Sequence, residues 1–588
     1  MKINNIIKGM MVGVLALGLS SCQDFLNRPA EDNYNTANFY QNDEQCIQGV
    51  NYLYNSPWYD FQRGFFKIGE AMSGNMYLGN SPYMLFTTNS TDTDLVNMSY
   101  SLWAVNGHAN TVIQNILASD GPSQEVKNQC IGEALTLKAL AYFFMVRTFG
   151  EVPIIHDNTE VLTSGKYNEV YKVTRENVYE YIIVTLEKAM ELLPKKTSGW
   201  NGRIDYYAAE GLLAKTYLTK AGVTGELSSD DLSKAASYAK DVIDNSGRTL
   251  TPVYSDIFRL NPDTYNQTGE PMISWLWSAG RDPWTQQNTL QSDLGMEGFS
   301  ETGDLWGGWG GPSYDLMLAY GADPLQDPRK RDESDTRRKA SIMMAGDEYD
   351  YFWRDKGGFD LLRFIYDDEY AKAGPSQFQG PCGAQNCKHL YGNTADHVAE
   401  TGLTPNNMAY QLPTHILRLS DVYLVYAEAS LLSNDKATAL EYVNKIRSRA
   451  GAAELSAVTI QDVWKERRLE LAGEGDYWYD FVRRSYYAPE DAIAELKAQK
   501  RNEVYSYDAV CKKYFEGAVV GPDGKMDYSA CEWTPDPSVT FYNTTTPAPN
   551  VTASSFTLPF PQEDVVFNPN LLEPAQEVNV RETYVYNF

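Results

Sequence analysis

This chain is poor in the residues that most often do chemistry. Its 588 residues include five His (His108, His156, His389, His397 and His415) and seven Cys. No Gly-x-Ser-x-Gly elbow, His-Glu-x-x-His pair, phosphate loop or Gly-x-Gly-x-x-Gly turn occurs in it. A calcium loop of the Asp-x-Asp-x-Asp-Gly type is also missing; Asp92-Thr93-Asp94 is only a fragment of one. The common signatures of serine-hydrolase, zinc-peptidase and nucleotide chemistry are therefore absent, and no cofactor or metal is expected. Positive charge is scarce as well. Lys and Arg number 50 against 77 Asp and Glu, a formal net charge of −27. That excludes nucleic acid as a partner, because such binding depends on cations neutralising phosphates. After the first two dozen residues no apolar run approaches the roughly twenty residues that span a bilayer.

What is present begins at the N-terminus. Lys2 and Lys8 precede an apolar or small stretch from Gly9 to Leu19, and Leu19-Ser20-Ser21-Cys22 follows. A basic start, a short apolar run and small residues at a cut site mark an export signal. Leu-Ser-Ser-Cys resembles the bacterial lipobox, which implies removal of residues 1–21 and acylation of Cys22. Burial of several acyl chains then gives stable membrane anchoring. The other six cysteines lie in an oxidising compartment if the export reading holds, so disulfides are expected. The local choices are Cys382–Cys387 and Cys511–Cys531, which leave Cys46–Cys130. The run Cys382-x4-Cys387-x-His389, with His397 beyond, fits no common zinc module, and a small disulfide loop is the simpler reading.

Helical periodicity dominates two regions. Glu125 to Phe149 is apolar on nearly every side and reads as a buried helix. Thr174 caps a helix that ends at Pro194, and Asp205 to Ala221 places Ala209, Leu213, Tyr217 and Ala221 on one face. Asp231 to Asn245, Ser420 to Leu432, Lys436 to Ala450 behind Asp435, and Thr459 to Arg484, bent at Gly473 and Gly475, complete the set. Helices joined by short turns suggest stacked pairs, although no clean repeat of fixed period shows. The stretch 250–412 differs. It is rich in Gly, Pro, Asp and aromatics, and holds Trp275, Trp277, Trp284, Trp306, Trp309 and Trp353 of the 12 Trp. Long loop-rich stretches in compact proteins are usually functional. The Ile273-Ser274-Trp275-Leu276-Trp277 alternation reads as a strand with at least one Trp inward.

At these helices the sequence resembles the SusD/RagB family of outer-membrane nutrient-binding lipoproteins. The resemblance is carried by the lipobox followed by Asp24-Phe25-Leu26, by Glu133 to Tyr142 running into Phe149-Gly150-Glu151-Val152-Pro153, and by Leu417 to Tyr423 with Tyr426 to Ala429. It continues through Val443 to Gly451, Glu466 to Leu471 with Gly475 to Trp478, and the ending Leu558-Pro559-Phe560-Pro561 with Asn568 to Leu571. It implies a mainly α fold: a helical body with tetratricopeptide-like helix pairs (about 36–249 and 413–516), a loop-rich ligand-binding insertion (about 250–412) and an extended tail (517–588), all one domain from residue 22. It also implies exposure on the outer face of the outer membrane and partnership with a SusC-like TonB-dependent transporter. Arg467, Arg468, Glu470 and Glu474 lie at spacings of three and four on one helix, which suits interhelical ion pairs rather than catalysis.

The function read from all this is glycan capture without catalysis. A sugar ring offers an apolar face to an aromatic and hydroxyl edges to amides, carboxylates or Arg. The candidate stacking rings are Trp284, Trp306, Trp309, Trp353, Tyr77 and Tyr83. The candidate polar partners are Asn75, Asn80, Arg281, Asp282, Gln286 and Asp304. Capture of peptides, as RagB-like members do, is the nearest alternative. A surface glycosidase is the alternative of another class, since its two carboxylates need only meet in space.

Overall fold

The computed structural model describes residues 39–280, 283–300, 310–371, 380–406, 409–505, 508–535 and 549–588. Cys22, Arg281, Asp282, Asp304, Trp306 and Trp309 lie outside the described residues. The main helices are α1 (Asp43–Asn51), α2 (Thr93–Ala118), α3 (Gln124–Phe149), α4 (Arg175–Leu192), α5 (Tyr206–Lys220), α6 (Ser229–Asn245), α7 (Leu419–Leu432), α8 (Lys436–Ala450), α9 (Ile460–Leu471) and α10 (Tyr477–Ser485). Most begin at a side chain that accepts a backbone N–H otherwise left without a partner: Asp92, Ser123, Thr174, Asp205, Ser228, Asp435 and Thr459. Such caps stabilise a helix by about 1 kcal/mol each.

Each helix from α2 to α8 packs against the next, so the helical patterns at the two ends of the sequence form one stack. At its centre is α3, in which every residue from Cys130 to Phe149 is buried. Its composition would suit a membrane span, but α2 and α4 cover it instead. Its charged residues are satisfied internally. Glu133 pairs with Arg203 at 2.6 Å and accepts the Tyr54 hydroxyl, and Arg147 reaches Asp476 at 3.0 Å.

The insertion leaves after α6 and returns before α7 through an antiparallel strand pair, Pro271–Trp275 against Thr414–Arg418. Both Trp275 and Trp277 are buried there, and Trp275 stacks on Trp58. The remainder of the insertion has apolar clusters of its own, one built from Phe299, Phe352, Trp353, Phe359 and Phe364. The tail lies across the helical stack. Leu558 N–H bonds to the Thr148 carbonyl, Phe560 stacks on Phe149, and the Tyr586 hydroxyl meets Thr185 and Tyr181.

The long helix expected from Thr459 to Arg484 is two. Gly473 and Gly475 adopt positive φ (84° and 72°), and α10 starts afresh at Tyr477. The break turns Glu474 and Asp476 inward. Arg418 then bonds Glu470, Glu474 and Glu270, while Lys388 reaches Glu474 at 2.7 Å. Lys215 reaches both Asp421 and Asp476 at 2.6 Å, and Arg467 bonds Asp421 and Asp480. Arg468 bonds Asn75 and Asp315. The Arg and Glu residues of α9 and the turn after it are thus parts of a buried ion network joining the stack to the insertion.

The expected disulfides are not formed: Cys46, Cys130, Cys382, Cys387, Cys511 and Cys531 are all buried free thiols. Cys382 and Cys387 belong to different apolar clusters, held apart by a strand, Gln385–Asn386, paired with Ile342–Met343. Burial also pushes the thiols up, Cys130 and Cys382 to about 12 and Cys387 to about 11. Protonated thiols are poor nucleophiles, so they resist oxidation.

Candidate functional site

Trp284 is the one tryptophan with a largely open ring among the described residues, 43% exposed. It opens a short helical turn, Trp284–Gln286, in the insertion, and the turn is held rigidly from both sides. The Trp284 Nε1–H donates to the Tyr59 hydroxyl at 2.6 Å, and Thr285 Oγ1 donates to Ser56 Oγ at 3.0 Å. The Gln286 carbonyl accepts Ser278 N–H. Just beyond, Gln62 Nε2 donates to the Gln287 carbonyl and Gln62 Oε1 accepts Thr289 N–H. The ring is therefore presented by fixed backbone, with its polar edge satisfied toward the body.

Beside it lies a cleft of about 280 Å³ lined by Gln62, Arg63, Phe66, Lys67, Met76, Leu78, Leu290, Asp293 and Leu294. Its floor is apolar and its rim is charged. Arg63 and Asp293 stand 3.5 Å apart, Arg63 half open to solvent, while Lys67 is tied to Asp94. Burial raises Tyr59 and Asp60 above their ordinary pKa values. The segment bearing Asp304, Trp306 and Trp309 starts after Ser300 and rejoins at Gly310, where a Cβ would lie 2.5 Å from Leu78 Cδ2. Leu78 follows the strand Met76–Tyr77, which pairs with Gly311–Pro312. Tertiary structure thus brings three separated pieces to one place: residues 59–67, residues 76–80 and residues 284–294.

Several sequence candidates do not survive as ligand contacts. Trp353 is 3% exposed: it lies among Phe299, Phe359 and Phe364, its Nε1–H donates to the Phe299 carbonyl, and Tyr370 stacks on it. Tyr83 is buried with its hydroxyl on Asp92 at 2.5 Å. Asn75 is buried and spends its amide on Glu70 and Arg468. Tyr77 is 8% exposed in its strand. Burial in each case leaves no ring face or amide for a ligand. Asn80 is exposed and Gln286 is half-buried, so both remain available. The residues the sequence did not suggest are Tyr59, Arg63 and Asp293. Nothing in the spacing places 59 next to 284.

A larger cleft of about 800 Å³ lies where the tail crosses the body, lined by Phe149, Lys172, Arg175, Phe560 and Leu572 among others. Phe149 and Phe560 stack on each other there, so each ring covers a face of the other.

The structure is a stack of packed helices carrying a cleft with an apolar floor and a charged rim. The chain belongs to the SusD family: the SusD family model matches residues 276–576, and a model described as starch-binding, associating with outer membrane, matches residues 3–218. A SusD-like protein from Bacteroides ovatus is 31% identical over 96% of this chain and 97% of its own length. SusD-like protein P2 from Formosa agariphila is 26% identical over 65% of this chain and 70% of its own. A crystal structure with xylogluco-oligosaccharide is 28% identical, covers 91% of this chain and 99% of that one, and has a TM-score of 0.72. A SusD-like carbohydrate-binding protein from Bacteroides fragilis shares the fold at 19% identity and a TM-score of 0.64, covering 91% of this chain and 99% of that one. The family is carbohydrate-binding, and none of the matched families is an enzyme family.

Proposed function

We propose that this chain captures a neutral oligosaccharide beside Trp284 and passes it, unaltered, to a SusC-like TonB-dependent transporter. The observation that carries the reading is the Trp284 ring, 43% exposed and held by Tyr59, in the segment that runs on to the cleft wall at Leu290. Such a ring covers the apolar face of a sugar, and Arg63, Asp293, Gln286 and Asn80 supply groups for its hydroxyl edge. Arg281, Asp282, Asp304, Trp306 and Trp309, which lie outside the described residues, remain candidates from the sequence alone. The likeness to a structure holding xylogluco-oligosaccharide makes xyloglucan fragments the first ligand to test. Retention on the outer face of the outer membrane through lipidated Cys22 keeps the cleft close to the transporter.

Calorimetric titration with xyloglucan oligosaccharides is expected to show micromolar-type binding, on the order of −5 to −8 kcal/mol, with unchanged sugar recovered afterwards. Release of shorter products would instead establish a glycosidase.

A further inference from the structure

A second aromatic surface stands close to the first and is served by the same short stretch of chain. Residues 52–59 form two consecutive 3-10 turns, Tyr52–Tyr54 and Ser56–Trp58, and end on Tyr59 beneath Trp284. At the other end of that stretch Tyr52 is 37% exposed and meets His108 of α2 edge-to-face, with centroids 4.9 Å apart. Its hydroxyl lies 3.5 Å from His108 Nε2. Tyr100, 68% exposed, precedes His108 on α2 by eight residues, about 12 Å along the axis and roughly 80° around it. Burial, and secondarily the nearby Tyr100, raise the Tyr52 hydroxyl above its ordinary pKa. The turns are fixed to α2 through the Ser101 hydroxyl, which donates to the Pro57 carbonyl.

Between Tyr100 and His108 the residues of α2 that are not buried are Trp103, Ala104 and Gly107, each half-buried. A Cβ on Gly107 would meet one atom, Asn158 Nδ2, at 4.0 Å, and its φ is not positive. Neither packing nor backbone geometry therefore requires glycine. In a helix interior it is less favourable than Ala by roughly 1 kcal/mol. Its effect is a shallow notch, with a ring at each end and Tyr52 at its side. The Tyr hydroxyls and the His108 nitrogens lie at the edges of this saddle, where they can bond sugar hydroxyls.

We propose that the saddle of Tyr52, Tyr100, Gly107 and His108 is a second carbohydrate subsite, which takes the continuation of a chain whose other end stacks on Trp284. The proposal rests on glycan capture at Trp284 for the shared ligand, but on different residues. Its signature is length: the saddle matters only for chains long enough to reach it.

The test is calorimetry with xyloglucan oligosaccharides of one, two and three repeating units. Trp284→Ala, the double variant Tyr52→Ala/Tyr100→Ala, and Gly107→Gln are compared with the unaltered protein. Gly107→Gln fills the notch while improving helix propensity, so loss of binding in it is not loss of fold. The double variant and Gly107→Gln are expected to lose at least tenfold in affinity for the longest chain and less than twofold for the single unit. Equal affinities at every length overturn the subsite and leave Trp284 standing. Loss in the saddle variants with none in Trp284→Ala keeps the saddle as a binding site and overturns the placement at Trp284. Unchanged glycan affinity together with weakened pairing to the co-expressed transporter assigns this face to a protein partner and overturns the proposal. No binding by the unaltered protein at any length overturns both.

Discussion

At the scale of single residues, the same side-chain type has opposite fates, and burial decides which. Trp284 and Trp353 both lie in the aromatic insertion, but one ring is open and the other is walled by Phe299, Phe359 and Phe364. Trp284→Ala is therefore expected to weaken oligosaccharide binding at least tenfold, about 1.4 kcal/mol, with little change in melting temperature. Trp353→Ala is expected to lower stability by about 3–5 kcal/mol through the cavity it leaves, read as a lower denaturation midpoint. If Trp353→Ala abolished binding while leaving stability untouched, the assignment of that ring to the core would be wrong. The charges of the network behave in the same way. Glu470 and Glu474 are wholly buried, yet the surrounding Arg449, Arg418 and Lys388 hold them below the ordinary carboxylate range, Glu474 at about 2. Removing one partner strands the others, so Glu470→Ala is expected to destabilise by about 3–5 kcal/mol. A depressed carboxylate pKa means that the unfolded chain binds more protons on acidification. The stabilisation is complete above the ordinary value of 4.5 and is lost as pH falls toward 2. Urea midpoints measured from pH 6 downward should fall through that window, and a flat profile would count against the network.

At the scale of elements, helix spacing was legible because the caps are local. Thr174, Asp205 and Asp435 begin helices where the sequence places them. The break between α9 and α10 shows the limit. Gly473 and Gly475 looked like a bend within one helix, but the backbone at Gly475 has φ 72° and packs so tightly that a Cβ would fall 2.2 Å from Phe65 Cε2. Gly475→Ala is expected to lower stability by more than 1 kcal/mol, since Ala can neither adopt that φ without strain nor fit the space; thermal unfolding measures it. The alternation at Ile273–Trp277 did mark the strand Pro271–Trp275, but the placement of the other strands followed non-local pairing, which spacing does not encode. The pairing of Met76–Tyr77 with Gly311–Pro312 joins residues more than two hundred positions apart, and it is what brings Leu78 to the cleft.

At the scale of the whole molecule, the two helical regions and the tail share one hydrophobic core, and the insertion joins it through Ile273, Trp275, Trp277 and Leu290 as well as through the ion network. The buried thiols test that packing globally. Thiol-specific reagents are expected to label none of the six core cysteines in the native protein and all six in denaturant without reductant. Reaction of fewer than six after unfolding would mean that disulfides had formed. The proposed lipid anchor belongs to this scale too. Cys22→Ala should leave oligosaccharide binding unchanged and release the protein from the membrane fraction; a mutant still held there would be anchored by some other feature.

The sequence by itself determined the excess of acidic residues, the helices with their caps, and the family. All of these depend on composition or on residues within a few positions of each other. It also carried the exposed Trp284 as one candidate among many. Only the tertiary structure separated that ring from the buried Trp353 and Tyr83, left the core cysteines as thiols, set Arg63 and Asp293 on the cleft and brought Tyr59 to Trp284. Exposure and proximity between distant segments arise when the chain packs, and no local pattern in the sequence records them.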